Sequence, residues 1–344
     1  MKLSIIVTVF NMAADEKLSF CLDSLIAQTI SDYEIIAVDD CSTDNSMEIM
    51  SSYADKYPGL VRAIHSNVNL HQGGAKNIGI RAAKGEFIGF VDADDFIAPN
   101  MYEKLLAKAD ETGADVVGCD YSLVYEHSFK IGDEIVANST DLQTGVLDHV
   151  RKANIILDCG SLCVKIFKRQ IILDNNLFFP ENIFYEDNAM GCSYMLTAKR
   201  FEYIKEPLYY YYQHGNSTVH SFSQKRCEDR MDAGRILLKE ARRLGFYDEF
   251  KDELEYDFTL LFYINTLFTY MPMVRPVKYS FVKAMSREMK ETFPSFSENR
   301  YYIKRTGAEE KKLIDMAMKS TLMFIIYYKL LWAYRNLRKK LKKH

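Results

Sequence analysis

Over the first 120 residues, short apolar runs alternate with stretches of helical spacing, and this alternation admits few folds other than a parallel sheet covered by helices. Leu3–Val9, Tyr33–Val38, Val61–Ile64, Phe87–Val91 and Asp115–Gly118 read as strands. Between them, Ser19–Gln28 places Leu22, Leu25 and Ile26 with Leu18 on one helical face. Asp44 can cap a helix through Ala54, and Gly74–Lys84 reads as a third helix that Gly85 ends. No G-x-G-x-x-G follows the first run, which counts against a dinucleotide-binding oxidoreductase.

The fourth run ends in three carboxylates within four residues, Asp92-Ala93-Asp94-Asp95. In an extended chain residues two apart point the same way, so Asp92 and Asp94 share one side of the strand end. Crowded carboxylates at the edge of an apolar core repel one another and lose hydration unless a cation neutralises them. All-oxygen ligation favours Mn²⁺ or Mg²⁺, with water and phosphate oxygens completing the shell. An EF-hand does not fit, because Ile97 stands where its glycine is needed and Phe96 replaces a ligand. A solvated acidic turn is the other reading of the cluster taken alone.

Composition bounds the rest. The chain has 344 residues, 48% of them hydrophobic, enough for two folded units. A net charge of -3 argues against a nucleic-acid binder, and seven scattered cysteines without zinc spacing are expected as reduced thiols in a cytoplasmic protein. Lys2 leads straight into the first strand, not into a secretory apolar segment. After Ser221 the pattern turns amphipathic, with helices expected over 226–244, 247–270, 278–292 and 309–341. The expected division is therefore 1–220, a helical domain 221–318 and a basic tail 319–344.

Several ordered segments match a known family. They are Ser4-Ile5-Ile6-Val7-Thr8-Val9-Phe10-Asn11, Val38-Asp39-Asp40-Cys41-Ser42-Thr43-Asp44-Asn45-Ser46, Gly74-Ala75-Lys76-Asn77-Ile78-Gly79, Gly85 through Asp95, Tyr185-Glu186-Asp187 and Pro207-Leu208-Tyr209. Over about residues 1 to 220 the chain resembles the bacterial family 2 glycosyltransferases of the GT-A fold that build surface polysaccharides. The resemblance implies an α/β fold, a GT-A-like mostly parallel sheet with covering helices, followed by the C-terminal helical domain. It implies an inverting transfer of a sugar from a nucleotide-diphosphate donor, a UDP-sugar, to a glycan or polyprenyl-linked acceptor.

Site roles follow from the same resemblance. Thr8, Phe10 and Asn11 leave the first strand where a base would lie, and Asp40 can accept from the N3–H of uracil. Asp39 is expected to brace the loop. Lys76 and Asn77 would meet phosphate or sugar oxygens, although the family more often has Arg at Lys76, and a plain surface lysine is the alternative. Asp92 would touch the ribose or the metal, Asp94 would bind Mn²⁺ or Mg²⁺ directly, and His214 is a candidate further ligand or a loop histidine. Asp95 would brace the turn. Asp187 is the expected catalytic base and Glu186 its orienting partner, with helix capping as the competing role for both. A nucleotidyltransferase and an inactive glycan- or partner-binding module are the rival readings.

The tail carries its own signal. Leu322 to Tyr334 is apolar apart from Lys329 and too short to span a bilayer, while the last ten residues hold Arg335, Arg338, Lys339, Lys340, Lys342 and Lys343. Leu330, Tyr334, Leu337 and Leu341 fall at helical spacing. Such a helix suits either an anionic membrane surface at the inner face of the cell membrane or a packed core helix with a solvated end.

Overall fold

The computed structural model describes residues 1–128, 130, 132, 134–213 and 222–341, with side chains to residue 338. The chain divides into two units, Met1–Ser217 and Thr218–His344.

The first unit runs β1 (Leu3–Val9), α1 (Lys17–Ile26), β2 (Tyr33–Asp39), α2 (Ser46–Lys56), β3 (Val61–His65), α3 (His71–Ala82), β4 (Phe87–Asp92), β5 (Phe96–Ile97), α4 (Met101–Thr112) and β6 (Val116–Val124). It continues with β7 (Glu134–Val136), β8 (Gly145–Val146), α5 (His149–Leu157), β9 (Lys165–Lys168), α6 (Arg169–Asp174), α7 (Glu186–Thr197) and β10 (Arg200–Tyr212). The strands form one sheet in the order β3-β2-β1-β4-β9-β6-β10-β5, with β7 on β6 and β8 on β10. The long pairings β1/β2, β1/β4, β2/β3 and β6/β10 are parallel. The short ones made by β5, β7, β8 and β9 are antiparallel, so the sheet is mixed.

Strands β1 and β2 are buried along their whole length, and β4 is buried up to Asp92, because helices cover both faces. That is why these segments are continuous apolar runs. From β1 the chain moves outward to β2 and β3 and then returns to place β4 on the other side of β1. This reversal makes the β1–β4 boundary the switch point, where an open α/β sheet leaves a crevice at the carboxyl ends of its strands. The register places Thr8 beside Asp92 and Val9 beside Asp39 at that end.

The second unit is helical: α8 (Gln224–Arg243), α9 (Lys251–Phe258), α10 (Thr266–Met273), α11 (Tyr279–Thr292), α12 (Arg300–Arg305), α13 (Ala308–Lys319) and α14 (Thr321–Leu341). The helix expected over 247–270 is interrupted by a π-helical stretch, Thr259–Asn265, where the Thr266 hydroxyl donates to the Leu261 carbonyl five residues back. The helix expected over 309–341 is two helices that part at Ser320. Phe324, Ile325 and Tyr328 of α14 are buried, and α14 packs on α10, α11 and α13. Among the described residues, no helix is long and apolar enough to cross a membrane.

Candidate active site

The acidic turn after β4 is tied down by its own backbone and by one tyrosine. The Asp95 amide donates to the Asp92 carbonyl at 3.0 Å. Tyr209 of β10 donates its hydroxyl to Asp95 Oδ2 at 2.6 Å and accepts from the Asp92 amide at 3.3 Å, while the Tyr212 amide donates to Asp95 Oδ1 at 2.9 Å. Asp95 is thus buried and fully engaged as a brace, and burial followed by Asp94 and Asp92 raises its pKa well above the usual carboxylate range.

Asp92 has softer partners. Gln72 Nε2 donates to its Oδ1 at 3.3 Å, and the Cys163 thiol to its Oδ2 at 3.6 Å. Its side chain is half-buried in a protein-dense crevice. Burial pushes its pKa up to about 6, Lys76 opposes that rise, and Asp94, Glu186 and Asp187 add to it. Four carboxylates therefore act on one crevice that Lys76 alone does not neutralise. Among the described residues no three His, Cys, Asp or Glu side chains close into a metal cage. Strand β4 ends at Asp92 and Asp94 lies in the turn after it, not in the extended backbone expected; two carboxylates two residues apart fit a hard divalent cation that takes its remaining ligands from water and phosphate. His214, the other candidate ligand, lies outside the described residues.

Toward the expected base pocket, Thr8 Oγ1 is buried without a hydrogen-bond partner, an orphan at the mouth of the crevice. Phe10 is 44% exposed, unusual for an aromatic at the end of a fully buried strand. Asn11 fastens the loop after β2: its Oδ1 accepts from the Thr43 amide at 2.8 Å, and its backbone N–H donates to Ser42 Oγ at 2.9 Å. Asp39 Oδ2 pairs with His65 Nδ1 at 2.7 Å and braces the same loop. Asp40 is buried at the start of α3, where its Oδ1 accepts from the Leu70 amide at 2.7 Å; burial raises its pKa despite that bond.

Opposite this edge, α3 and α7 meet through charge. Lys76 is buried, not a surface lysine, and its Nζ lies 2.7 Å from Glu186 Oε1, with each side chain 5% exposed. Burial alone would lower the Lys76 pKa, but Glu186, then Asp92 and Asp187 among its neighbours, hold it above the ordinary value. Asn77 has protein partners of its own. Its amide clamps the Phe179 backbone, donating to the carbonyl at 2.9 Å and accepting from the N–H at 2.8 Å, and so it anchors the segment before α7. Gly73 permits this contact, since a Cβ there would sit 2.1 Å from the Pro180 carbonyl oxygen.

Asp187 stands in the first turn of α7 with its side chain open to solvent. The dense protein around it and then Glu186 raise its pKa, and its solvent access keeps that rise below what full burial would give. It accepts from the Asn188 amide at 2.8 Å, so it caps the helix as well. Four non-glycine residues hold left-handed backbone angles at the edges of this crevice: Asn11 (φ 54°), Cys41 (64°), His71 (59°) and Tyr185 (66°). Each costs on the order of 1 kcal/mol, and such strain gathers where side chains must be aimed. Gln72 and Cys163 escaped the sequence reading because each is placed only through a long-range contact, and Tyr209, within a segment that matched the family, had no role there as the support of Asp95.

Residues 4–171 match the family model described as glycosyl transferase family 2. The chain is 31% identical over 274 residues to the uncharacterized glycosyltransferase YibD of Escherichia coli, covering 74% of this chain and 77% of that one. It belongs to glycosyl transferase family 2. It is also 26% identical over 266 residues to the poly(ribitol-phosphate) β-N-acetylglucosaminyltransferase TarS of Staphylococcus aureus, covering 75% of this chain but 44% of TarS. The structure of TarS residues 1–349 in complex with UDP-GlcNAc superposes with a TM-score of 0.68 over 98% of this chain and 92% of that one, at 21% identity. A mannosyltransferase of Pyrobaculum calidifontis in complex with GDP-Man and Mn²⁺ superposes with a TM-score of 0.51 over 96% and 87%, at 14% identity. The GT-A-like α/β fold with a C-terminal helical region is therefore shared with solved glycosyltransferases.

Proposed function

We propose that this glycosyltransferase inverts the anomeric centre of a UDP-sugar and passes the hexose to a glycan or polyprenyl-linked acceptor during surface polysaccharide synthesis, on the cytoplasmic side of the membrane. One observation carries the reading: the Asp92–Asp94 turn and the Lys76–Glu186–Asp187 cluster act on one crevice at the switch point of the sheet. The relation to TarS supports a UDP-sugar and a polymeric acceptor.

The Asp187 carboxylate takes the proton of the acceptor hydroxyl as that oxygen bonds to the anomeric carbon. The bond from that carbon to the diphosphate oxygen breaks on the opposite face, and its electron pair leaves with UDP. Asp94, with Asp92, would hold Mn²⁺ or Mg²⁺, which when bound offsets the charge gathering on the leaving diphosphate. Lys76 adds a fixed positive charge to the crevice and is paired with Glu186 beside Asp187. Thr8, Phe10 and Asp40 form the base edge, with the Thr8 hydroxyl available to a donor. A nucleotidyltransferase is disfavoured because no glycine- and arginine-rich phosphate loop follows β1.

A panel of nucleotide sugars, assayed for metal-dependent release of free nucleoside diphosphate, tests this. Release from a UDP-sugar that Asp94→Asn abolishes while the protein stays folded is expected. Equal turnover by Asp94→Asn in trace metal, or pyrophosphate as the product, would overturn the reading.

A further inference from the structure

Charge is unevenly divided along this chain. The last 29 residues carry eight lysines and arginines and no acid, whereas the preceding 315 hold 36 cations against all 47 acids. A body with a net charge of -11 thus ends in a segment of +8.

The same segment exposes an apolar face. Along α14, Leu322, Met323, Ile326, Leu330, Tyr334 and Leu337 are 52 to 66% exposed. At about 100° per residue these six fall within a stripe about 120° wide. Phe324, Ile325 and Tyr328 occupy the opposite side and bury against α10, α11 and α13. The helix is therefore anchored by one face and offers the other to its surroundings. Lys329 and Arg338 border the exposed stripe on its two edges, where long cationic side chains can reach outward while their stems lie along apolar surface.

We propose that this face of α14 is a docking surface for an anionic lipid bilayer, on which the helix lies flat with its stripe in the headgroup boundary. Charge complementarity selects this occupant. A bilayer interface supplies apolar depth and negative charge together, which is what the stripe and its flanks present. A second copy docked stripe to stripe would bring eight cations against eight. The remainder of the chain, with its net charge of -11, is repelled by the same surface. The inference does not depend on the transfer chemistry, because binding needs neither donor nor acceptor.

The test is flotation of the full chain with vesicles of 30% phosphatidylglycerol in phosphatidylcholine, compared with phosphatidylcholine alone, at low and high salt. Selective, salt-sensitive binding to the anionic vesicles is expected. The pair Ile326→Glu and Leu330→Glu changes exposed positions only and should weaken binding by about tenfold or more. Replacing Lys339, Lys340, Lys342 and Lys343 with Gln should remove the salt dependence. Unchanged circular dichroism shows that either variant is folded. Equal flotation of parent and stripe variant overturns the proposal, as does failure of the parent to float. Self-association in light scattering that the stripe variant abolishes, without vesicle binding, assigns the face to a second copy instead.

Discussion

The Lys76–Glu186 pair supports a quantitative prediction. At 2.7 Å, with both side chains 5% exposed, its direct attraction is about 6 kcal/mol at an effective dielectric of about 20. Dehydrating two ions costs several kcal/mol each, so the intact pair contributes little net stability, whereas stranding either member costs about 3–5 kcal/mol. The two single variants should nevertheless differ. Lys76→Met leaves Glu186 buried beside Asp92 and Asp187, with no positive charge to offset three negative ones. Glu186→Gln leaves Lys76 facing Asp92 and Asp187, which still attract it. Lys76→Met should therefore lie at the upper end of that range and Glu186→Gln at or below its lower end. In the double variant neither ion is stranded, and it should be more stable than Lys76→Met alone, with a coupling of about 2 kcal/mol or more. Urea denaturation of metal-free protein, followed by a signal from the first unit, measures all four corners of the cycle. Metal must be absent because a cation on Asp92 and Asp94 would change the local charge. Additive effects, or a Lys76→Met cost no larger than that of Glu186→Gln, would refute the account of this crevice as a negative cluster held by one lysine.

Asp187→Asn should leave donor affinity intact and lower transfer by about 10²–10⁴; a parent-like rate would reduce Asp187 to a helix cap. Because its pKa is raised, the ionised base is lost as pH falls through a value above the ordinary ~3.9, so transfer at saturating Mn²⁺ should show an acid limb there that the Asn variant lacks. Gly73→Ala must push α3 away from the Pro180 carbonyl, which should cost about 1–3 kcal/mol and reduce transfer by disturbing Lys76 against Glu186; an unchanged melting temperature would show that the contact relaxes freely.

What the sequence made legible follows the physics of burial. Strands β1, β2 and β4 are covered by helices on both faces, so most of their residues are apolar, and they announce themselves within a residue or two of their ends. Strand β6 continues past Gly118 to Val124 because the buried Asp120 and Ser122 find partners that no local pattern reveals, among them Tyr203 and the Gly132 amide. Strand β9, which separates the two parallel blocks, begins with a fully buried lysine. Lys165 Nζ is held by the carbonyls of Cys159 and Ser161 at 3.1 and 2.6 Å, and burial lowers its pKa. A lysine in that role reads as surface in any local window.

The site divides along the same line. Acids at a strand end or in a first helical turn are conspicuous, because clustering carboxylates needs a reason that neighbours in sequence cannot supply. Their supports are not conspicuous. Tyr209 reaches Asp95 across 114 residues, and Cys163 reaches Asp92 across 71. Asn77 shows how a correct motif can carry a different local role. Beside Lys76 in a helix expected to begin at Gly74 it resembles a phosphate contact, yet α3 begins at His71, which puts both residues in its second turn, and Asn77 bonds the Phe179 backbone where Gly73 lets α3 pass close to Pro180. The neighbouring lysine reaches Glu186. Lys76 and Asn77 thus join α3 to the segment that carries Glu186 and Asp187, where Gly73 lets the two pass closely.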